Sequence, residues 1–159
     1  MKTIASFTVD HLKLLPGIYV SRKDKIGSET VTTFDIRVTR PNCEPVMETG
    51  EIHTIEHLGA TYLRNRADVA DQIIYFGPMG CRTGFYLLMA GDLESEDIVE
   101  LIRDMFAFIT DFEGEIPGAR PEQCGNYSDQ DLDGAKKRAE RYLNEVIAQI
   151  GPERLHYAE

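Results

Sequence analysis

Two runs of residues near the start restrict the folds open to this chain more than any other feature. Ile18 to Ile26 and Val31 to Thr39 are β-branched or alternating, and only a short segment containing Gly27 and Ser28 separates them. So short a connection joins neighbouring strands, and the pattern predicts an antiparallel hairpin with strands of about nine residues, closed by Pro41 and Asn42. From about Glu48 the period becomes helical, with Ile52, Ile55, Leu58, Tyr62 and Leu63 mostly three or four residues apart until polar residues take over near Asn65 to Asp68. Gln72 to Phe76 and Gly84 to Ala90 read as two further strands around a Gly77-Pro78-Met79-Gly80-Cys81 turn.

Ser95 is expected to N-cap a second helix, ahead of Glu96, Asp97 and an apolar stripe of Ile98, Leu101, Ile102, Met105, Phe106 and Ile109. After an irregular Gly- and Pro-containing stretch over residues 112–131, a final helix is expected from about Leu132 to Ile150, stopped by Gly151-Pro152. Hairpins and helices segregated in this way predict an α+β fold: one domain over residues 1–159, with an antiparallel sheet of about four strands packed in two layers against about three to four helices.

Charge then narrows the partners. With 27 acidic against 17 basic residues the formal charge is −10, which repels polyanions, so neither nucleic acid nor a membrane surface is an expected partner. Met1 to Asp10 lacks the apolar run of a signal peptide and no stretch is long and apolar enough to span a bilayer, so the expected location is cytoplasmic. The three cysteines, Cys43, Cys81 and Cys124, cannot all pair within one chain, and in a reducing compartment free thiols serve as core residues, metal ligands or nucleophiles.

His53 and His57 stand four residues apart, which on a helix separates them by about 40° and lets both reach one metal ion. Glu56 falls about 60° round from His53 and about 100° from His57, so all three leave the helix within one sector. Histidines that are merely exposed or hydrogen-bonded form the competing reading. A catalytic divalent ion usually takes three protein ligands, and Cys124, in the flexible Gly114 to Gly125 loop, is the best remaining donor, with a buried inert thiol as its alternative. Cys81 sits in a glycine-flanked turn beside Arg82, where a positive field would favour thiolate and suit a proton carrier; a small apolar residue at a tight turn is the other reading. Cys43 is assigned no role. Arg37 and Arg64 could each hold an anionic group, although taken singly each reads first as a solvated surface arginine. Ser6 and His11 carry little signal by themselves, and His156 is expected to be solvated.

Several blocks, taken in order, resemble the S-ribosylhomocysteine lyases, also called LuxS or autoinducer-2 synthases. They are Ser6-Phe7-Thr8-Val9-Asp10-His11, Phe34-Asp35-Ile36-Arg37 with Pro41-Asn42, His53-Thr54-Ile55-Glu56-His57-Leu58, Pro78-Met79-Gly80-Cys81-Arg82-Thr83-Gly84-Phe85-Tyr86 and Cys124-Gly125-Asn126-Tyr127. The resemblance spans most of the chain. It implies that His53, His57 and Cys124 bind Fe(II), one ion per subunit, with Zn(II) or Co(II) as substitutes. It further implies that Glu56 and Cys81 move protons, that Ser6, His11 and Arg37 help to hold the substrate, and that the enzyme is a homodimer with active sites at the interface. The implied reaction splits S-ribosylhomocysteine into homocysteine and 4,5-dihydroxy-2,3-pentanedione. One departure stands out: Tyr75-Phe76-Gly77 occupies a position where such proteins carry an acidic residue, in a stretch like Asp-Ile-Ser.

Two other readings remain at this point. His53-Thr54-Ile55-Glu56-His57 also fits the inverted zinc-peptidase pattern, in which the Glu activates water. Alternatively, a metal could merely tie a loop to a helix in a non-enzymatic domain.

Overall fold

In the computed structural model, which describes residues 1–158, the expected hairpin is formed by β1 (Gly17–Ile26) and β2 (Glu29–Arg37). Gly27 makes the turn with a φ of 64°, a backbone shape that costs glycine little. The second strand stops at Arg37, short of Thr39, because the amides of Val38 and Thr39 both turn to one acceptor, the Thr83 carbonyl, at 2.9 and 3.0 Å. β3 (Ile73–Pro78) and β4 (Gly84–Ala90) complete an antiparallel sheet of order β1-β2-β4-β3. Gln72, expected in the third strand, ends a 3-10 turn just before it.

Residues alternate between the two faces of a strand, and here one set is apolar. Ile18, Phe34, Ile36, Phe76, Phe85, Leu87 and Met89 are buried in one core with the apolar faces of α1 (Thr49–Asn65), α2 (Val99–Asp111) and α3 (Leu132–Glu145). The result is the expected α+β arrangement, a four-stranded antiparallel sheet with three α-helices among the described residues. Gly59 lets α1 come down onto the sheet: a Cβ there would lie 2.5 Å from Phe76 Cε1 and 3.2 Å from Met105 Sδ. Burying Ile52, Ile55, Leu58 and Leu63 contributes about 1.5–3 kcal/mol per side chain, which fixes α1 and leaves the sector with His53, Glu56 and His57 half-buried at its margin.

Two helix boundaries differ from expectation. Ser95 is not an N-cap. Glu94 takes that place through a capping box with Asp97, whose carboxylate accepts the Glu94 amide at 2.8 Å, and Ser95–Ile98 is a 3-10 turn leading into α2. The longer side chain reaches the free amides, while Ser95 itself is buried. The last helix ends at Glu145 rather than Ile150, because the chain bends at Val146 (φ −115°) into a 3-10 turn, Ile147–Gln149, that buries Val146 and Ile147. Tertiary packing of those two apolar side chains prevails over a further turn of α-helix.

Candidate metal centre

α1 opens with its own capping box, the Glu48 amide donating to Glu51 Oε1 at 2.9 Å, and so presents His53 and His57 one turn apart. Their rings lie edge to face with centroids 4.6 Å apart. The 112–131 segment folds back across this face and is tied down by the helix itself. Thr54, fully buried, donates its hydroxyl to Gln130 Oε1 at 2.7 Å and accepts the Asp131 amide at 3.0 Å, while Thr49 reaches Asp129 Oδ1 at 3.2 Å. A turn in which the Gln123 and Cys124 amides both bond the Arg120 carbonyl then brings the Cys124 thiol to 3.4 Å from His53 Nε2.

One donor atom from each of His53, His57 and Cys124 lies within 4.8 Å of the others. Each imidazole is also oriented from behind. His53 Nδ1 lies 2.8 Å from the Asp129 carbonyl and His57 Nδ1 lies 2.7 Å from the Pro117 carbonyl. A carbonyl only accepts, so both Nδ1 atoms are donors, which in the neutral ring leaves the lone pair on Nε2. Backing of this kind fixes tautomer and ring angle in metal-binding histidines. A tetrahedral ion with one thiolate and one imidazole ligand would hold sulfur and nitrogen about 3.6 Å apart, close to the separation between Cys124 and His53. The residues therefore fit a divalent ion held by two imidazoles and a thiolate.

A second polar cluster surrounds Cys81. Its sulfur lies 3.1 Å from Thr83 Oγ1 and 3.9 Å from Arg37 Nη1, and that same Arg37 nitrogen donates to Thr83 Oγ1 at 2.6 Å. Because Thr83 already accepts from Arg37, its own proton is free for the sulfur. Arg82, the neighbour in sequence, instead directs its guanidinium to the Met47 carbonyl at 3.4 Å. The cation beside the thiol is thus Arg37. Nor is Arg37 a solvated surface residue: it is 3% exposed and paired at 2.6 Å with Asp35. Burial alone would make Arg37 easier to deprotonate, but the paired carboxylate outweighs this and holds it charged.

The other residues picked out by sequence lie elsewhere in the chain. Glu56 is half-buried on the histidine-bearing sector of α1. Ser6 sits in a 3-10 turn, Ala5–Phe7, and His11 Nδ1 bonds its own Val9 carbonyl at 2.8 Å, so neither is hydrogen-bonded to the two clusters. Arg64 donates to the Ile73 and Ile74 carbonyls at 3.4 and 2.9 Å, bracing β3. Tyr75 is half exposed and its phenol lies over Gly77, occupying the space a Cβ there would need. Asp35, Thr83 and the carbonyls of Pro117 and Asp129 join the two clusters only through the fold. Asp35 and Thr83 do stand in the Phe34-to-Arg37 and Pro78-to-Tyr86 blocks, but backbone acceptors carry no residue signature.

A family model described as S-ribosylhomocysteinase (LuxS) matches residues 4–153. The chain belongs to the S-ribosylhomocysteinase (LuxS) family. It is 60% identical over 157 residues to the S-ribosylhomocysteine lyase of Phocaeicola vulgatus, covering 99% of this chain and 98% of the relative. It is 60% identical over 159 residues to that of Finegoldia magna, with both chains covered in full, and 53% identical over 157 residues to that of Borreliella burgdorferi, covering 99% of each. The match between LuxS family and chain takes in every block named above, and it favours neither the peptidase nor the metal-staple reading. Among the described residues no helix is long and apolar enough to cross a membrane.

Proposed function

We propose that this chain is a metal-dependent S-ribosylhomocysteine lyase, cleaving the thioether of its substrate to L-homocysteine and 4,5-dihydroxy-2,3-pentanedione, the precursor of autoinducer-2. The observation that carries the reading is the convergence of His53, His57 and Cys124, with both imidazoles backed by carbonyls, in a chain of this family. The proposed resident ion is Fe(II), following the resemblance; imidazole and thiolate ligands also suit Zn(II) and Co(II), and affinity trends favour zinc over iron. A divalent ion in this site supplies a Lewis acid that offsets negative charge developing on a substrate oxygen while the carbonyl moves along the sugar.

The protein's part is to move protons and hold the sugar. Protons beside a carbonyl are weakly acidic, and we assign their removal and return to Cys81, whose sulfur lies against Thr83 and Arg37. Glu56 is assigned the hydroxyl protons and assistance to the last step, in which loss of a proton and departure of the homocysteine sulfur leave the diketone. Ser6, His11, Arg37 and Arg64 are proposed to hold the substrate. A homodimer with sites at its interface accounts for Ser6 and His11 lying apart from both clusters in one chain, on a segment that exposes Ile4, Phe7 and Leu12. We assign the protein a cytoplasmic location, which the free thiols support.

The test is release of homocysteine thiol from S-ribosylhomocysteine by protein prepared without oxygen, with metal content measured on the same sample. Activity is expected to track bound metal and to disappear on chelation. Glu56→Gln and Cys81→Ala are expected to retain the metal and lose turnover. Full activity in either variant removes that residue from the scheme, and no thiol release by metal-loaded protein refutes the function.

A further inference from the structure

Behind Cys81 runs a buried polar chain of which the proposed reaction uses only the Arg37–Thr83 end. Arg37 spans it, with Nη1 toward Thr83 and Cys81 and Nη2 on Asp35 Oδ2. That same carboxylate oxygen accepts the hydroxyl of Tyr157 at 2.8 Å, from a residue 122 positions away near the end of the chain. Among the described residues Asp35 Oδ1 and Arg37 Nε have no hydrogen-bond partner, so the pair is not saturated. Tyr157 is firmly seated. Its ring stacks on Tyr19 with centroids 4.8 Å apart and planes within 9°, and the Tyr19 hydroxyl in turn donates to the Leu15 and Glu153 carbonyls at 2.8 and 3.2 Å. Burial, and then the charge of Asp35, push the Tyr157 phenol well above its ordinary pKa, so it remains a donor throughout the working range.

We propose that Tyr157 is a positioning residue for Cys81, acting through Asp35 and Arg37 to set how closely the guanidinium is held against Thr83 and the sulfur. A carboxylate that accepts from two donors shares its charge between them. With the phenolic proton removed, all of Asp35's charge falls on Arg37, the guanidinium is drawn toward the carboxylate, and the positive field reaching Thr83 and Cys81 declines. The sulfur is then a poorer nucleophile at a given pH. This inference rests on the reading of Cys81 as a proton carrier, but its test does not depend on turnover.

The experiment is peptide-resolved alkylation of Cys81 by iodoacetamide against pH, on metal-loaded protein. Tyr157→Phe keeps the ring and its stacking and removes only the hydroxyl. The alkylation midpoint is expected to rise by about half a unit to one unit, which lowers the thiolate fraction below the midpoint by about 3–10-fold. The turnover number is expected to fall by a similar factor with KM little changed. Tyr19→Phe, which loosens the seat by freeing the Leu15 and Glu153 carbonyls and removes no hydrogen bond to Asp35, is expected to leave the midpoint where it was. An unchanged midpoint in Tyr157→Phe overturns the proposal whatever happens to activity, and so does an equal rise in Tyr19→Phe, which would mark an effect of packing alone. Retained activity in Cys81→Ala would instead defeat the catalytic reading of Cys81, a result separable from either.

Discussion

Gly118 is where backbone conformation and the metal centre meet, and Gly118→Ala tests both. Its φ is 74°, in the left-handed region, and a Cβ built on it would lie 3.1 Å from His57 Nδ1 and 3.3 Å from Cε1. An alanine in that conformation costs about 1–2 kcal/mol. The contact must also be relieved by a few tenths of an ångström, and the ring has little freedom to yield while one nitrogen is held by the Pro117 carbonyl at 2.7 Å and the other faces the metal site. The loop must therefore retreat, stretching the bond that holds the His57 tautomer. Losing such a backing partner typically weakens metal binding about 10–100-fold, equivalent to about 1.4–2.7 kcal/mol. Competition against a graded chelator, with calorimetric unfolding of the metal-free protein, reads the two effects separately. Gly114→Ala is the internal control: its φ is 103°, but its Cβ would meet nothing within 4 Å, so it is expected to lose stability and keep its metal affinity. Metal affinity in Gly118→Ala equal to that of the parent, or a loss as large in Gly114→Ala, would refute the reasoning.

Thr54→Val removes both hydrogen bonds that fasten the loop to α1 at Gln130 and Asp131, and is expected to cost about 1–3 kcal/mol and to weaken metal binding, read by chemical unfolding and chelator competition; Thr54→Ser should restore most of both. Gly59→Ala drives a methyl group against Phe76 and Met105 and is expected to destabilise by about 1–3 kcal/mol, lowering the melting temperature with the metal site intact. Tyr142→Phe removes the hydrogen bond from its buried hydroxyl to the Gly17 carbonyl at 3.0 Å, and is expected to cost about 0.5–1.5 kcal/mol in denaturant unfolding with no change in metal content. Arg64→Ala is expected to raise KM as well as lower the melting temperature, since its guanidinium also braces β3; a loss of stability with KM unchanged would remove it from the substrate contacts.

Much of this protein was legible along the chain because the relevant physics is local. Alternation marks the strands, a three- to four-residue period marks α1 and α2, and the same period places His53, Glu56 and His57 in one sector. Where neighbours in space competed with neighbours in sequence, the reading shifted: Ser95 yielded its cap to Glu94, and the last helix broke at Val146 to bury Val146 and Ile147. Arg37 read as a surface residue because a charged side chain usually is one, and only the buried Asp35 beside it explains its place.

The site divides in the same way. Residue types and helical spacing suffice to pick out His53 and His57 as candidate ligands, and Cys124 in its loop as the candidate third. That the thiol returns beside those rings was decided by Thr54, Gln130 and Asp131 fastening the loop, and the tautomer by carbonyls of Pro117 and Asp129. Likewise the sequence put Arg82 next to Cys81, whereas folding put Arg37 there and closed the chain's end over it with Tyr157. Periodicity is written into successive residues because a helix or strand repeats a fixed geometry. Hydrogen bonds between distant segments, above all those to backbone carbonyls that every residue carries, acquire meaning only when the chain has brought them together.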